Sequence, residues 1–545
     1  MPEFTVYLGY QTVTVLQYSL RKGDTMKYAK AVAASMTLLM ALTACGTQAE
    51  LVSTPDVQKK SVEILLSDDG VQVDGAPAGT DQTDAVYTAN DIVYYESGKD
   101  FTYGEGTQAD AHSAEDAAAH TVVHITQPGT YSLSGSLSRG QIAVDLGEEA
   151  KENPDAVVTL ILNGADITCD VAPAVIFYNV YECGSDDTDT ASEDVDTSAA
   201  GANVVIADGT ENTVNGSYVA RIYKADSVVL SSDGTQVEDA KKLHKYDGAF
   251  YSKRSMNISG GQENTGILNI YAENEGLDSE LHLTINGGTI NIYSGNDGIN
   301  TNEDGISVTT VNGGILNIQV TGDTGEGDGI DSNGWLVING GTVIAAACSD
   351  SMDAGIDSDM GIHINGGTVA ASGHMLDRIE DGGQTHAVFT FNQKQKGTNV
   401  LSIKNEDNST LLELCPQNDY SILVYSSPDL TPGTYTLWSS DQQLAGQSDG
   451  TPGSGMPGMQ PGSMTPPEGK PSFDGIEPPE GKFPFDGMTP PEGIIPPERP
   501  DGTAGGNRPP NDRFDTDRTE IAQNLLPEFQ ITEGSNLFGA IALLE

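Results

Sequence analysis

The sequence predicts an all-β fold built as a parallel β-helix, a stack of coils made of short strands. A turn tripeptide recurs with its first residues 27, 26, 27 and 26 positions apart, at Ser259, Asn286, Asn312, Asn339 and Asn365. Apolar residues alternate with polar ones after each turn. Gly numbers 63 and aromatic residues are only 6%, which favours short strands over a large compact core. A fixed period of this length indicates stacked units, and no segment from 257 to 373 has the helical spacing that a helix–strand solenoid, the competing design, requires.

Alternation within each coil predicts which side chains stack. Ile290 and Ile292 lie on one face of their strand, with Asn291 and Tyr293 on the other. The matching residues of the neighbouring coils are Leu268, Asn269, Ile270 and Tyr271 before and Leu316, Asn317, Ile318 and Gln319 after. Because parallel coils lie about 4.8 Å apart, we expect apolar residues to form continuous interior ladders. Asn and Gly at the turns are expected to supply positive φ.

Strand-like segments flank the repeats. Before them, apolar alternation with Gly punctuation predicts strands at 71–73, 121–125, 129–135 and 157–162, the last ended by a turn at Asn163-Gly164. The acidic run from Asp186 to Asp196 is predicted to be a solvated loop. After Gly373 the period fades, and strands at 388–391 and 420–425 predict a terminal β cap, which a stack requires over its last coil.

The end of the chain contains a segment of biased composition. Residues 441–515 are dense in Pro, Gly and Met, and Pro-Pro-Glu-Gly recurs from Pro466, Pro478 and Pro490. Such a composition cannot bury a core, so we predict a disordered or extended insertion. Within 516–545, residues 529–532 are a candidate for one further strand of the cap.

The start of the chain has the order of a secretory signal. From Met26, two lysines precede an apolar stretch at 31–41 and the sequence Leu-Thr-Ala-Cys that ends at Cys45. This box resembles a bacterial lipoprotein cleavage site, which implies that Cys45 is lipidated and anchors the mature chain on the outer face of the cell membrane. An ordinary cleaved signal with an incidental Cys is the alternative. Residues 1–25 are then an upstream extension or a misassigned start, and 46–60 a polar tether.

The net charge and the cysteine spacing exclude some classes of partner and of metal site. A formal net charge of −53 and a pI near 4.1 argue against nucleic acid, whose phosphates require a basic surface. Cys169, Cys183, Cys348 and Cys415 lack the spacing of a zinc site and are expected to be small buried thiols, with a single Cys169–Cys183 bridge left open. We expect a monomer.

An acidic motif runs through the repeats. The 123 residues between Arg254 and Arg378 contain 17 Asp or Glu and no Lys or Arg. Within them an acidic residue, Gly, an apolar residue and Asp or Asn recur at 275–278, 297–300 and 328–331, and with Ala first at 354–357. Stacking would align these acidic side chains on the outside of the coils, where unscreened like charges are costly. The alternative is that Asp, Asn and Gly here are only turn formers.

Calcium offsets such a charge because it accepts about 6–8 oxygen ligands from carboxylates, amides and carbonyls. Magnesium fits less well, since it prefers octahedral geometry with retained waters. The motif therefore predicts a Ca2+ site with ligands among Glu275, Asp278, Asp297, Asn300, Asp328, Asp331, Asp353 and Asp357.

These motifs carry a resemblance to a known family. The Asn-Gly-Gly-Thr and Asp-Gly-Ile-Asp coils, the segments 206–213 and 247–253 and the lipoprotein box together resemble a bacterial family of surface carbohydrate-binding proteins, which is similar in turn to the family 9 pectate lyases. The resemblance covers roughly residues 61–440. It implies a right-handed parallel β-helix that holds calcium and binds acidic polysaccharide such as polygalacturonate. The lyase calcium pattern best fits Asn296-Asp297 with Asn300, and Asp328 with Asp331, although Asn296 and Asn300 depart from full acidity.

Binding and catalysis make different demands on the chain. A lyase needs a basic side chain to take the proton next to a uronate carboxylate, and the candidates are Lys253, Arg254 and Arg378, with Lys253 the best placed. Because no base lies inside the acidic coils, we favour binding, with Lys253 as a surface charge or sugar contact. Sugar rings are expected to contact Tyr271, Tyr293 and Trp335, and a purely structural surface spacer is a third reading.

Overall fold

The computed structural model of the chain describes residues 61–448 and 525–544, which are almost all β-strand or connecting loop. Apart from Leu525, these residues form one compact unit. The predicted extension at 1–25, signal at 26–45 with Cys45, tether at 46–60 and the Pro/Gly/Met-rich segment beyond 448 lie outside the described residues. No helix within the described ranges has the length and apolar character needed to cross a membrane. The predicted all-β class is confirmed.

The part of the chain before the repeats is made of short strands with one five-residue helix. Its elements are β1 (Val62–Leu66), β2 (Gln72–Val73), β3 (Ala76–Pro77), β4 (Val86–Ala89), α1 (Ala114–Ala118), β5 (Thr121–Ile125), β6 (Gly129–Leu137), β7 (Gly140–Asp145), β8 (Val158–Thr168), β9 (Val175–Asn179), β10 (Ala202–Ile206), β11 (Glu211–Gly216), β12 (Val229–Leu230) and β13 (Val237–Asp239). The 3-10 turns Glu148–Glu152 and Ala225–Ser227 lie between them.

The repeats contribute a regular series of strands. These are β14 (Gly248–Ser252), β15 (Met256–Gly260), β16 (Ile267–Ala272), β17 (Glu275–Ser279), β18 (Leu283–Ile285), β19 (Thr289–Ser294), β20 (Ile299–Thr301), β21 (Val308–Val311), β22 (Ile315–Val320), β23 (Ile330–Ser332), β24 (Trp335–Ile338), β25 (Thr342–Ala346), β26 (Gly361–Ile364) and β27 (Thr368–Gly373).

The strands of the repeats pair in three parallel ladders. Ladder A joins β10, β15, β18, β21, β24 and β26. Ladder B joins β11, β16, β19, β22, β25 and β27. Ladder C joins β9, β14, β17, β20 and β23. The repeats that begin at β16, β19 and β22 therefore pass through ladders B, C and A in turn, and the last repeat passes from β25 to β26 without a strand in ladder C.

The register confirms the predicted stacking of like on like. In ladder B the pairs are Leu268 with Ile290, Ile290 with Leu316, Ile270 with Ile292 and Ile292 with Ile318. All of these side chains are buried, and the aligned rows continue one coil at a time. Burial of such side chains stabilises the fold by roughly 1.5–3 kcal/mol each relative to exposure, so the rows supply the stack with its core.

The turn asparagines have a different role from the one predicted. Positive φ belongs to the second glycine of each turn, as at Gly288 (φ 87°) and Gly314 (φ 85°), and not to the asparagine. Asn312, Asn339 and Asn365 instead each donate a side-chain N–H to the amide oxygen of the asparagine one repeat back, over 2.9 Å from Asn312 to Asn286 and 3.0 Å from Asn339 to Asn312. Asn suits this column because its amide both donates and accepts, which lets the same bond repeat from coil to coil.

A second amide ladder runs along the outer side of ladder B. Asn291 donates to Asn269 over 2.8 Å, and Asn317 donates to Asn291 over 2.8 Å. These residues are the outward partners of the buried isoleucines, so the stacking that aligns the core also aligns the amides.

Mostly antiparallel strands form the predicted cap after the repeats. They are β28 (His386–Gln395), β29 (Leu401–Asn405), β30 (Thr410–Leu414), β31 (Tyr420–Ser426), β32 (Gly433–Ser439), β33 (Gln442–Ser448), β34 (Phe529–Ile531) and β35 (Ser535–Leu543). The strand expected at 529–532 is β34, which pairs with β32. The cap extends past the expected boundary at 440, because β33 buries Leu444 and Ala445 against its neighbours and so belongs to the cap core.

The structure corrects one local prediction and answers a question that the sequence left open. The turn expected at Asn163-Gly164 is a continuation of β8, where Gly164 has φ 80° and Asn212 accepts hydrogen bonds from the N–H groups of Gly164 and Ala165. The four described cysteines are free thiols, so Cys169 and Cys183 do not form a bridge.

Candidate functional site

Ladder C brings the acidic motifs together on adjacent strands. Hydrogen bonds from Gly276 N–H to Asp297 O (3.0 Å) and from Gly298 N–H to Asp328 O (3.0 Å) align Glu275, Asp297 and Asp328 in one column. We call this the first acidic column.

A second acidic column lies three residues further along the same strands. Asp278 pairs with Asn300 and Asn300 with Asp331. The N–H of Asp357 donates to Ile330 O over 2.7 Å, so the motif at 354–357 continues this column. The structure thus brings Glu275, Asp278, Asp297, Asn300, Asp328, Asp331 and Asp357 to one ladder, with neighbouring strands about 4.8 Å apart.

Four of these side chains are buried and those of Asp328, Asp331 and Asp357 are half-buried, whereas the repeat pattern predicted that all would lie on the outside. Asp278 is 0% exposed, Glu275 7%, Asn300 8% and Asp297 9%. Gly248 explains part of this difference, since a Cβ there would lie 2.5 Å from the Asp278 Cβ, and glycine lets the preceding strand close over the carboxyl. A buried charge is costly unless a partner compensates it.

Three oxygens of the columns are buried without a hydrogen-bond partner in the described part of the chain. They are Glu275 Oε2, Asp278 Oδ2 and Asn300 Oδ1. The other polar atoms of these side chains are satisfied: Asn300 donates to Glu275 Oε1 over 3.1 Å, and Asn302 donates to Asp278 Oδ1 over 2.6 Å. Buried polar atoms are almost always paired, so three orphaned oxygens on adjacent strands make this part of ladder C a candidate binding site.

The pKa values of the column carboxyls are raised, as expected for buried acids without a neighbouring positive charge. Burial, reinforced by neighbouring carboxylates, raises the pKa of Glu275 and of Asp278 well above the usual range. Burial raises the pKa of Asp297 to about 7 and that of Asp328 to about 9, although each accepts a backbone N–H that favours its charged form. For Asp331 and Asp357 burial and nearby carboxylates raise the pKa to about 7.

Positive charge reaches one end of the columns from outside the repeats. The segment 217–247, which we call the strap, connects β11 to β14 and carries Arg221. The Arg221 guanidinium lies 3.3 Å from Asp247 Oδ2 and 3.6 Å from Glu105 Oε2. The buried Asp247 is adjacent to the first column, because its carbonyl accepts the Glu275 N–H over 3.2 Å. Arg221 thus compensates a buried acid next to the columns, although it lies outside the repeats.

The remaining predicted ligands lie at the margin of the columns. Asp353 accepts the N–H of Gly327 over 2.6 Å and the hydroxyl of Ser351. Asn296 packs its backbone and side chain against Gly327, where a Cβ would lie 2.9 Å from Asn296 Oδ1. Both residues hold the loop before Asp328, and neither has an orphaned oxygen in the described structure.

The acidic residues alone do not surround a single point. In the part of the chain that the structure describes, no group of three or more His, Cys, Asp or Glu side chains has the arrangement of a metal site. Any ion held by the columns would therefore need amide oxygens such as Asn300 Oδ1 and oxygens from outside the side chains.

None of the three candidate bases forms an ion pair with a column residue in the described part of the chain. Lys253 is exposed directly after β14, where its N–H donates to Phe177 O over 2.9 Å. Arg254 is half-buried with its Nε unpaired in the described part of the chain. Arg378 pairs with Glu380 over 2.6 Å and contacts the carbonyl of Met360.

The aromatic candidates fall on two ladders. Tyr271 and Tyr293 pair in register on ladder B, and their rings stack with centroids 5.2 Å apart and planes 8° apart. Each precedes a column residue by four positions, since Glu275 follows Tyr271 and Asp297 follows Tyr293 around the corner. Trp335 opens β24 on ladder A, so it does not share a face with the tyrosines.

Sequence reasoning missed several residues of this region. Asn302, which binds Asp278, follows the Ser or Thr after each motif, and the matching positions hold Glu280, Asn333 and Asp359. The recurrence of a polar residue at this position could have been recognised in the sequence. Asp247, Arg221 and Lys245 belong to a segment without a period, so no pattern in the sequence connects them with the columns.

Comparison with known proteins gives one informative match. Residues 119–387 match the model of a family described as "Carbohydrate-binding domain-containing protein". The matched residues include all three ladders of the repeats and both acidic columns, and the match supports carbohydrate binding.

Two other comparisons add little. No curated protein matches the chain significantly. Among solved structures the chain is similar to one titled "Structure of the polysaccharide lyase-like protein from C. thermocellum, Gadolinium derivative", with 19% identity, a TM-score of 0.30 and coverage of 57% of this chain and 90% of that chain. We draw no conclusion from so low a TM-score.

Proposed function

We propose that this protein binds an acidic polysaccharide through calcium held by the acidic columns of a right-handed parallel β-helix. The family match to residues 119–387 supports a carbohydrate ligand. The three parallel ladders, each extended by one strand per repeat, support the β-helix. The calcium-bridged, acidic character of the ligand is our inference from the columns.

The observation that carries the proposal is the set of orphaned oxygens on Glu275, Asp278 and Asn300. All three donors are hard oxygen atoms, which suits Ca2+ and not the soft metals that thiolates bind. Glu275 and Asp278 would supply carboxylate oxygens and Asn300 an amide oxygen, while Asn302 and Asn300 orient the two acids by the hydrogen bonds described above. Bound calcium would neutralise the columns and present a positive centre to a glycan carboxylate.

Charge explains why the ligand and the ion belong together. The chain has a formal net charge of −53, so it repels a polyanion unless cations lie between them. The orphaned oxygens of Glu275, Asp278 and Asn300 are fewer than the roughly 6–8 oxygens that calcium accepts, which leaves positions for carboxylates of the glycan. Binding of uronate polysaccharide should therefore require the ion.

The stacked tyrosines supply an apolar contact next to this centre. Tyr271 and Tyr293 form one flat surface one corner away from Glu275 and Asp297. Sugar rings present C–H faces that pack on aromatic rings, so the pair would orient a chain whose carboxylates point toward the columns. Trp335 would contact a different part of the glycan, since it lies on another ladder.

The test is retention of the purified protein on immobilised polygalacturonate with calcium and with chelator. We expect retention only with calcium, and loss of retention for Glu275→Gln combined with Asp278→Asn. Glu263→Gln, an exposed acid in the same repeats, is the matched control and should bind like the wild type. Retention that survives chelation, or none at all, would refute the proposal. Unsaturated products absorbing in the ultraviolet would identify a lyase, with Lys253→Ala as the variant to test.

We also propose that the chain is a lipid-anchored surface protein, on the basis of the Leu-Thr-Ala-Cys box that ends at Cys45. Placement on the outer face would expose the columns to glycans and calcium outside the cell. Cys45→Ser should move the protein from the membrane fraction to the soluble fraction, and an unchanged membrane fraction would contradict the anchor.

A further inference from the structure

Three lysines of the strap have no ion-pair partner among the described residues. It carries Lys224, Lys241, Lys242 and Lys245 in addition to Arg221, in a chain with 26 basic and 79 acidic residues. Lys242 lies 2.9 Å from Glu105 Oε1, and Arg221 is paired as described. Within the described ranges, Lys224, Lys241 and Lys245 have no carboxylate within ion-pair distance. These three cations are therefore available to an anionic ligand.

Two of these lysines are held side by side. Tyr223 and Lys242 form an antiparallel bridge, and the N–H of Lys224 donates to Lys241 O over 2.8 Å. Lys224 therefore lies directly opposite Lys241, and both side chains are exposed. Like charges directly opposite each other destabilise a strand pair, so this placement costs stability unless an anion binds between them.

The third lysine connects this pair to the acidic columns. Lys245 lies two residues before the buried Asp247, whose backbone carbonyl accepts the Glu275 N–H over 3.2 Å. Glu275 opens the β17 strand, which also carries Asp278. The C-terminal end of the strap is thus at the end of the columns where β14 and β17 pair.

The strap is fixed in this position by its own contacts. Val219 bridges Tyr246, Ile222 bridges Gly104, and the Tyr246 ring packs edge-on against Tyr178 and Tyr251 of ladder C. His244 stacks on Tyr246 at 4.0 Å. A segment tethered near both of its ends presents Lys224, Lys241 and Lys245 at defined positions.

We propose that Lys224, Lys241 and Lys245 form an anion-binding strip that takes carboxylates of the same acidic polysaccharide beyond the calcium centre. The inference rests on the proposed function and names further residues of its site. A uronate chain carries one carboxylate per sugar, so a ligand held at the columns extends its next carboxylates along the surface, and the strip offers fixed positive charges there. Nucleic acid is not the occupant, because the rest of a surface with net charge −53 repels it.

The experiment compares four full-length proteins for calcium-dependent binding to sodium polygalacturonate by calorimetry. They are the wild type, the strap variants Lys224→Gln/Lys241→Gln and Lys245→Gln, and the control Lys396→Gln/Lys404→Gln, which removes two positive charges from the cap. Binding is measured at about 50 mM and about 300 mM NaCl, because the screening length is about 10 Å at 0.1 M salt and shortens as salt rises. A fully methyl-esterified polygalacturonate is the uncharged probe, and the calcium stoichiometry and melting point of each protein report its folding.

We expect the double strap variant to bind polygalacturonate about threefold to tenfold more weakly at low salt, with the difference narrowing at high salt. Its calcium stoichiometry and its binding of the esterified probe should equal those of the wild type, and its melting point should not be lower, because the two like charges no longer face each other. Lys245→Gln should weaken binding in the same direction. If the wild type binds and both strap variants bind equally well, the strip is refuted while the proposed function stands. If the wild type does not bind polygalacturonate at all, the proposed function fails and the strip fails with it.

Discussion

At the scale of single residues, the burial of Asp278 and Glu275 is the feature with the most consequences. Both lie on β17 with one oxygen orphaned, and burial raises the pKa of each well above its usual range. Without a cation these buried carboxyls lower the stability of the fold. With a cation bound they raise it, because the carboxylates then act as its ligands. The same residues should therefore weaken the metal-free protein and strengthen the calcium-loaded one.

Asp278→Asn separates these two effects. The amide keeps an oxygen that can accept the Asn302 hydrogen bond but removes the buried charge. We expect the variant to be as stable as the wild type or more stable by about 1–3 kcal/mol in chelator, and to bind calcium at least about tenfold more weakly. Urea unfolding in chelator and calorimetric calcium titration measure the two quantities. A variant that loses stability in chelator and keeps its calcium affinity would exclude Asp278 as a ligand.

The raised carboxyl pKa values predict the pH dependence of the metal-free protein. Unfolded Asp and Glu titrate near about pH 4, whereas the folded pKa is about 7 for Asp297 and about 9 for Asp328. Between these limits the folded state binds more protons than the unfolded state, so stability falls as pH rises from about 4 to about 9. Melting points in chelator should decrease across this range, and calcium should largely remove the decrease. A melting point that rises with pH in chelator would contradict the burial of these groups.

At the scale of elements, the strap and the column of turn asparagines stabilise the stack through contacts between different coils. Arg221 on the strap compensates Asp247, the buried acid next to the first column. The turn asparagines connect successive repeats on the outside, while the isoleucine rows connect them on the inside. The asparagine column and the isoleucine rows both depend on the register of the ladders.

Arg221→Gln should have opposite effects with and without calcium. Without the ion, Asp247 is left buried and unpaired, which should cost about 1–3 kcal/mol of stability. With the ion, loss of a nearby positive charge should tighten calcium binding about threefold to tenfold. Arg139→Gln, at an exposed pair with Asp170, is the control for removal of one arginine. Equal calcium affinity in the Arg221 variant and the wild type would show that the strap does not act on the columns.

Asn312→Ala tests the amide ladder. The substitution removes the bond to Asn286 and the bond from Asn339, and these exposed turn bonds should together contribute about 1–2 kcal/mol to the unfolding free energy. The neighbouring control is Thr310→Ala, which truncates a half-buried side chain of β21 and leaves the amide column intact. Urea unfolding of both variants measures the difference, and equal stability of Asn312→Ala and wild type would mean that the ladder contributes nothing.

At the scale of the whole molecule, the repeats could be predicted and the surroundings of the columns could not. Ile290 and Ile292 stack as predicted because register follows from a local period and alternation. The burial of Asp278 depends on Gly248 and Asn302, and the compensation of Asp247 depends on Arg221. The last of these contacts joins a segment without a period to the repeats, and such long-range packing leaves no pattern in the sequence.

The cap was also only partly predictable from the sequence. Its need was predictable, because a stack of coils cannot end with exposed apolar rows and unpaired strand edges. Its extent was not, since β33 follows directly on β32 and β35 returns to pair with it from the far side of the Pro/Gly/Met-rich segment. Composition placed the end of the cap at 440, one strand short of the β33 that the structure describes.

The most direct test of the central claim is metal analysis of the purified protein combined with its thermal unfolding before and after chelation. We predict bound calcium, a melting point that falls by several degrees in chelator, and recovery on adding calcium but not magnesium. A protein that contains no divalent ion and melts at the same temperature in calcium and in chelator would contradict a cation at Glu275, Asp278 and Asn300.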